Sequence, residues 1–133
     1  LFETNKLYTL IATDSISNLY PILIEDLNFT PIEGKAFVRF INASPNAPPL
    51  DIKIGNPNGT IKHSYFTYQQ ITSYEPYDPS IISFVFTSTG SSNELISLRG
   101  LSLLAGKAYT IVVMGFYNGA PGSELQVKWF QDN

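Results

Sequence analysis

Residues 41–52 read INASPNAPPLDI, a stretch that ends one apolar strand and begins another. The side chains of Asn42 and Ser44 can hydrogen-bond to nearby backbone, and three prolines stiffen the connection that follows. Proline cannot donate to a strand ladder, so the sheet cannot continue through this stretch. We therefore predict a corner between two strands here rather than a binding loop.

The strand after the corner, LDIKI at residues 50–54, alternates apolar and charged residues. This period of two predicts that the leucine and isoleucines lie in the core and that Asp51 and Lys53 point toward water. Residues 36–41 (AFVRFI) and 107–114 (KAYTIVVM) are instead apolar on both faces, which is typical of strands covered on both sides. Residues 94–104 fit a strand better than a helix, because a central glycine weakens a helix.

Short turn sequences, such as NPNG at residues 56–59, separate these runs and divide the chain into about nine or ten short strands. No long segment has convincing helical periodicity. We therefore predict an all-β fold, and specifically an immunoglobulin-like antiparallel β-sandwich.

The composition excludes several functional classes. The chain has 133 residues, 44% of them hydrophobic and 14% charged, which fits one folded domain rather than a disordered segment. Its net charge is −3 and its eight basic residues form no run, so a nucleic-acid partner is excluded. There is no cysteine, which rules out disulfides and thiolate metal sites. The apolar runs are strand-sized, so we expect no transmembrane segment in this chain.

The chain also repeats itself. Residues 6–12 (KLYTLIA) match residues 107–113 (KAYTIVV) at a spacing of 101, and each copy is followed by a polar turn and a further strand. We interpret residues 1–30 as the C-terminal hairpin of a preceding repeat plus a linker, and residues 31–133 as one complete module. Since the chain begins at Leu1, we expect it to be a fragment or a mature product. The hairpin should dock beside the module or exchange with a neighbouring copy, which would give a homo-oligomer.

Two stretches resemble a known family. GKAFVRFINASPNAPPLDI (residues 34–52) and LLAGKAYTIVVMG (residues 103–115) are similar to the DUF4397 domain, a bacterial family of unknown function in secreted and lipid-anchored envelope proteins, often in tandem. The family's Ala-Ser-Pro-x-Ala-Pro corner corresponds to residues 43–48, its aspartate-containing strand to residues 50–52, and its Gly-Lys-x-Tyr-Thr strand to residues 106–110. The overall pattern is most similar to that of two-module lipoproteins of Bacteroidetes. The resemblance implies a non-enzymatic structural or binding module in the bacterial cell envelope, outside the cytoplasm.

A tyrosine-rich stretch at residues 65–78 (YFTYQQITSYEPYD) is the candidate ligand or partner surface. Its four tyrosines could form an aromatic platform for a glycan or a protein partner. Alternatively, the rings pack across strands and cover an edge of the sandwich, which is the interpretation we favour. The four candidates are Tyr65, Tyr68, Tyr74 and Tyr77.

Catalytic alternatives are weaker. Glu75 and Asp78 could act as the carboxylate pair of a glycan hydrolase, although a role in the turn is the simpler interpretation. A calcium site in the same loop is a further alternative, but the spacing of its carboxylates matches neither an EF-hand nor an RTX repeat, and turn formation is the interpretation we favour. The only histidine, His63, is expected to face solvent and has no catalytic triad around it. We therefore expect no catalytic residue, no cofactor and no metal site.

Overall fold

Ten strands make up the regular structure of the computed structural model, which describes residues 4, 6, 8–13, 20–25 and 30–132. The described part therefore confirms the all-β prediction, including a strand over most of residues 94–104. The strands are β1 (Tyr8–Thr13), β2 (Tyr20–Glu25), β3 (Ala36–Asn42), β4 (Leu50–Ile54), β5 (Ile61–Phe66), β6 (Glu75–Tyr77), β7 (Ser80–Ser88), β8 (Glu94–Leu103), β9 (Ala108–Met114) and β10 (Gln126–Gln131).

Two four-stranded sheets face each other and confirm the predicted β-sandwich. The first sheet has the strand order β10-β9-β3-β6, and the second has the order β5-β4-β7-β8. Alternate side chains of both sheets meet in one apolar core, as two packed inner faces require. Phe40 of the first sheet lies at its centre, with its ring centroid 5.0 Å from that of Phe84 in the second sheet. The two rings meet edge to face, the arrangement that aromatic quadrupoles favour.

One strand pair departs from the antiparallel prediction. β3 and β9 run parallel, with Phe37 beside Ala108 and Asn42 beside Val113. A parallel pair needs a long crossover, and here the crossover contains β6 and all four strands of the second sheet. Every residue of β3 is buried, as are all but the last residue of β9. This agrees with the expectation that both strands are covered on both faces.

The hairpin of β1 and β2 covers the outer face of the first sheet, which is the face turned away from the second sheet. Ile22 and Ile24 of the hairpin form an apolar cluster with Ile41, Ala43 and Val112 of the sheet. The hairpin therefore adds a third layer to the sandwich. Among the described residues, no helix is long and apolar enough to cross a membrane.

The stretch at residues 41–52 forms the predicted corner, and its polar groups are satisfied internally. Asn42 and Ser44 are buried. The Asn42 amide donates to the carbonyl oxygen of Phe66 at 3.1 Å and accepts from the backbone N–H of Ser44 at 3.0 Å. The Ser44 hydroxyl donates to the carbonyl oxygen of Gly115 at 2.7 Å. The corner therefore joins β3 to the ends of β5 and β9.

The prediction that Asp51 and Lys53 point toward water is wrong. Their side chains do lie on the face of the second sheet opposite the core, but only 2% and 6% of these residues are exposed. The loops that follow β4 and β7 close over this face. The Lys53 ammonium donates to the carbonyl oxygens of Pro57 at 2.9 Å and Ser91 at 2.7 Å, one in each loop. Burial removes the water that would hydrate the ammonium, and the two loop carbonyls accept its hydrogen bonds instead.

Candidate functional site

A cleft of about 310 Å³ lies between the hairpin and the outer face of the first sheet. Its walls are mainly apolar, and a threonine and an aspartate contribute polar atoms from the sheet side. Its size is at the lower end of the range of small-molecule sites in proteins. The lining residues are Thr9, Leu10 and Ile11 of β1, with Thr110, Phe130 and Asp132.

A chain of hydrogen bonds runs through the sheet side of the cleft. The buried Arg39 donates through Nε to the Thr110 hydroxyl at 2.8 Å, and that hydroxyl donates to the Asp132 carboxylate at 2.6 Å. The Tyr74 hydroxyl donates to the same carboxylate oxygen at 2.8 Å. The Arg39 guanidinium also lies over the Tyr74 ring, 4.6 Å from its centroid, at a distance where a cation and an aromatic face attract. The network ties the end of β10 to β3 and to the segment before β6.

Burial raises the pKa of the Tyr74 phenol well above its ordinary value, and the neighbouring Asp132 carboxylate raises it further. Tyr74 therefore stays protonated and remains a donor at neutral pH. The Tyr74 and Thr110 hydroxyls thus hold the Asp132 carboxylate in place beside the apolar cleft.

The four candidate tyrosines do not share one surface. Tyr77 is buried in the core, where its ring meets that of Phe84 at 5.8 Å edge to face. Tyr74 belongs to the network of the first sheet, and Tyr68 lies partly buried between β5 and β6. Only Tyr65, on β5 of the second sheet, has a largely exposed side chain, with 62% of the residue accessible. For Tyr77, packing across strands is the arrangement that the structure has.

The two candidate carboxylates contact different cations. Glu75 lies 3.2 Å from the Lys62 ammonium and 2.8 Å from His63 Nε2, although this second contact lacks hydrogen-bond alignment. Asp78 is largely exposed and pairs with Lys35. Glu75 thus connects β6 at the edge of the first sheet to β5 at the edge of the second.

His63 is not simply solvent-facing, which corrects the expectation from the sequence. About three quarters of its side chain is buried, and its ring meets the edge of the core residue Phe40 at 5.7 Å. Among the described residues, no group of three histidine, aspartate or glutamate side chains is placed to hold a metal ion.

Asp51 is the most completely bonded carboxylate of the described residues. Oδ1 accepts from the Ser64 hydroxyl at 2.9 Å, the Tyr65 N–H at 3.2 Å and the Thr89 hydroxyl at 3.0 Å. Oδ2 accepts from the Gly90 N–H at 3.0 Å. Burial alone would raise the pKa of this carboxyl, but the four donors outweigh burial and lower the pKa below its ordinary value. The side chain therefore locks β4 to β5 and to the loop after β7.

Sequence reasoning missed the roles of Arg39, Asp51 and Asp132. One signal was available for Arg39, because an arginine inside the apolar run AFVRFI must find partners if both faces are covered. For Asp51, the serine, threonine and glycine residues after β7 are the kind of donors that a buried carboxylate recruits. Nothing local indicated Asp132.

Comparison with known proteins supports the family resemblance. Residues 1–53 match the family model DUF4397, a domain of unknown function. The resemblance is therefore confirmed over a stretch that contains the hairpin, the corner and Asp51. The solved structure of the C-terminal domain of AlgF from P. aeruginosa is similar to this chain, with 20% sequence identity and a TM-score of 0.49, over 74% of this chain and 99% of that domain. No curated protein matches the chain in sequence.

We predict that Asp51→Asn lowers the free energy of unfolding at neutral pH by about 1–3 kcal/mol, because an amide nitrogen would face donors that need an acceptor. The pKa of Asp51 is depressed by folding, so its contribution to stability is present above its unfolded pKa of about 4 and is lost as pH falls below it. The free energy of unfolding, measured with urea, should fall less between neutral pH and about pH 3 in the variant than in the wild type. An unchanged pH dependence of the free energy of unfolding in Asp51→Asn would contradict the assignment.

Two tyrosine-to-phenylalanine variants should differ in sign or size. Tyr74→Phe removes a donor to Asp132 and should lower the free energy of unfolding by about 1 kcal/mol. The buried Tyr77 hydroxyl has no hydrogen-bond partner among the described residues, so Tyr77→Phe should be neutral or slightly stabilising. Urea unfolding of both variants measures the difference. Equal destabilisation would mean that the Tyr77 hydroxyl is bonded in solution.

Proposed function

We propose that this chain is a non-enzymatic structural and binding module of a bacterial envelope protein that lies outside the cytoplasm. The observation that carries the proposal is the docked hairpin. The outer face of the first sheet presents Ile41, Ala43 and Val112, and Ile22 and Ile24 of the hairpin cover them. An outer sheet face that is apolar in this way is suited to packing against another β-element.

The buried charges also support a structural role. The hydrogen bonds of three buried charged side chains join segments of this chain that are far apart in sequence. These side chains are Arg39, Asp51 and Lys53. A catalytic carboxylate or cation needs to meet a substrate, whereas these side chains meet loop backbone and hydroxyl groups. They stabilise the arrangement of strands and loops.

The partner is a protein or a glycan. Tyr65 is the tyrosine available for stacking on a sugar ring or for an interface, and the exposed Ile61 lies on the same strand. These two side chains make β5 the favoured binding edge.

A glycan hydrolase that uses Glu75 and Asp78 is the competing hypothesis. Two carboxylates must flank one glycosidic bond for this chemistry. Glu75 is held between Lys62 and His63, and Asp78 pairs with Lys35. Because each carboxylate is neutralised by a different set of partners, we favour a structural role for both.

The location is inferred from the family resemblance, which implies a secreted or lipid-anchored parent protein. Biotinylation of intact cells tests this location, with an antibody against the chain to identify it among the labelled proteins. We expect labelling before lysis, with a cytoplasmic protein as the unlabelled control. Labelling that requires lysis of the cytoplasmic membrane, and that permeabilising an outer membrane does not allow, would contradict the proposed location.

Glycan arrays combined with an assay for released reducing sugar distinguish binding from hydrolysis. We expect no release of sugar from any glycan. If a glycan binds, Tyr65→Ala should weaken binding by about tenfold, which corresponds to the loss of about 1.4 kcal/mol from an interface anchor. The control variant, Ile81→Ala at an exposed position on β7, should leave binding unchanged. Sugar release that Glu75→Gln and Asp78→Asn each abolish would overturn the non-enzymatic proposal. Absence of binding across the array would contradict a glycan ligand and leave a protein as the partner.

A further inference from the structure

The two hairpins of the chain are equivalent in strand register as well as in sequence. In β1–β2, Ile11 lies opposite Ile22 and Thr9 lies opposite Ile24. In β9–β10, the matching positions pair in the same order, with Val112 opposite Lys128 and Thr110 opposite Phe130. Thr9 thus corresponds to Thr110, Ile11 to Val112, and Ile24 to Phe130. The equivalence of the second strands, Ile24 with Phe130 and Ile22 with Lys128, rests on strand register and not on the sequence match at a spacing of 101 residues.

Equivalent residues of the two hairpins lie at the same interface between the hairpin and the sheet. Thr9 and Thr110 line the same cleft. Ile11 and Val112 belong to the same apolar cluster. When a surface pairs with another copy of itself, equivalent residues approach one another across the interface. The two copies therefore use the same face of the hairpin.

The contacts are also reciprocal, which is a second property of a surface that pairs with itself. Ile24 of the first copy packs in the cluster that contains Val112 of the second. Exchanging the two copies turns Ile24 into its counterpart Phe130 and Val112 into its counterpart Ile11. Phe130 and Ile11 line the cleft together. A head-to-tail contact between two different surfaces would not produce this exchange.

The opposite face of the β1–β2 hairpin has the character of a core face. Leu10 corresponds to Ile111, which is 0% exposed, and Ala12 corresponds to Val113, which is also buried. In the hairpin, Leu10 is 64% exposed and Ala12 is exposed. The residues that would be core in a complete module thus stand at the surface here. Contiguous apolar residues on an exposed sheet face indicate a covering partner.

We propose that the module pairs with a preceding copy of itself through the outer faces of the two β9–β10 hairpins, with β1–β2 as the preceding copy's hairpin. The partner that covers Leu10 and Ala12 is then the second sheet of that preceding copy. This inference rests on the proposed function as a structural module and names the partner that its outer face accepts. Because one face serves both copies, the pairing closes at two modules and does not extend into an open array.

Cross-linking in the chain of residues 1–133 tests the face-to-face contact. The natural sequence has no cysteine, so Thr9→Cys with Thr110→Cys places the only two thiols in the cleft. A short bis-maleimide should link them within one chain, at unchanged molecular mass. The control pair, Thr9→Cys with Ile81→Cys, has one thiol in the second sheet and should not link. Absence of the first cross-link, in a variant that unfolds cooperatively in urea and whose two thiols each react with a single maleimide, would overturn the contact between the two faces.

Thiol labelling of Leu10→Cys and Ala12→Cys tests the covering partner. Both variants should label rapidly in the chain of residues 1–133. In the full-length protein both should label at least about tenfold more slowly, because a core position reacts only on opening. Ile81→Cys, at an exposed position, should label equally in the two proteins. The smaller change, Ala12→Cys, keeps the test valid if Leu10→Cys disturbs folding.

The outcomes separate this inference from the proposed function. Equal labelling of Ala12→Cys in both proteins would overturn the preceding module as the partner, while the glycan and sugar-release assays still decide whether the chain is a non-enzymatic module. Protection of Ala12→Cys together with the Thr9–Thr110 cross-link would support the pairing even if those assays revealed hydrolysis.

Discussion

The parallel pairing of β3 with β9 places two strands, buried on both faces, at the centre of the first sheet. A sheet face of this kind cannot meet water without a large loss of hydrophobic free energy, so each face requires a covering layer. The second sheet covers the inner face and the hairpin covers the outer face. The same pairing also places Arg39 beside Thr110, and through Thr110 it reaches Asp132. The three-layer arrangement and the polar network of the cleft thus follow from one strand pair.

Burying charges on these outer faces requires partners for every charge, since an unpaired buried charge costs several kcal/mol. The chain solves this in two ways. Arg39 uses a hydroxyl and an aromatic face, whereas Asp51 and Lys53 use the loops that close over the second sheet. Asp51 lies directly beyond the corner at residues 41–52, so the corner and the carboxylate together fix β3, β4, β5 and the loop after β7. The corner and Asp51, which lie in the stretch that matches the family, are therefore explained by their hydrogen bonds within the fold.

Much of this architecture could be predicted from the sequence because it depends on local patterns. Alternation along LDIKI assigned Asp51 and Lys53 to the correct face, and runs such as AFVRFI indicated strands covered twice. What alternation cannot predict is whether loops cover the opposite face, since that depends on residues about 40 positions away. The parallel pairing could not be predicted for the same reason, because no local feature of β3 specifies β9 as its neighbour. The burial of Tyr77 could not be predicted from the sequence, because a three-residue edge strand carries too little periodicity to assign a face.

The match between residues 6–12 and 107–113 is the one long-range feature that the sequence does reveal, and in the structure both segments place an aliphatic side chain, Ile11 or Val112, in one cluster. In a complete module, the face of β9 that contains Tyr109, Ile111 and Val113 is needed for the core. The opposite face, with Thr110 and Val112, would ordinarily be free to become polar in an antiparallel sandwich exposed to water. Val112 and its counterpart Ile11 remain aliphatic and lie in one cluster, and the two threonines line one cleft. Selection for a soluble single module would not require this, whereas packing between two like surfaces requires it in both copies. Under the proposed pairing of modules, the outer face is an interface rather than a pocket for a small ligand.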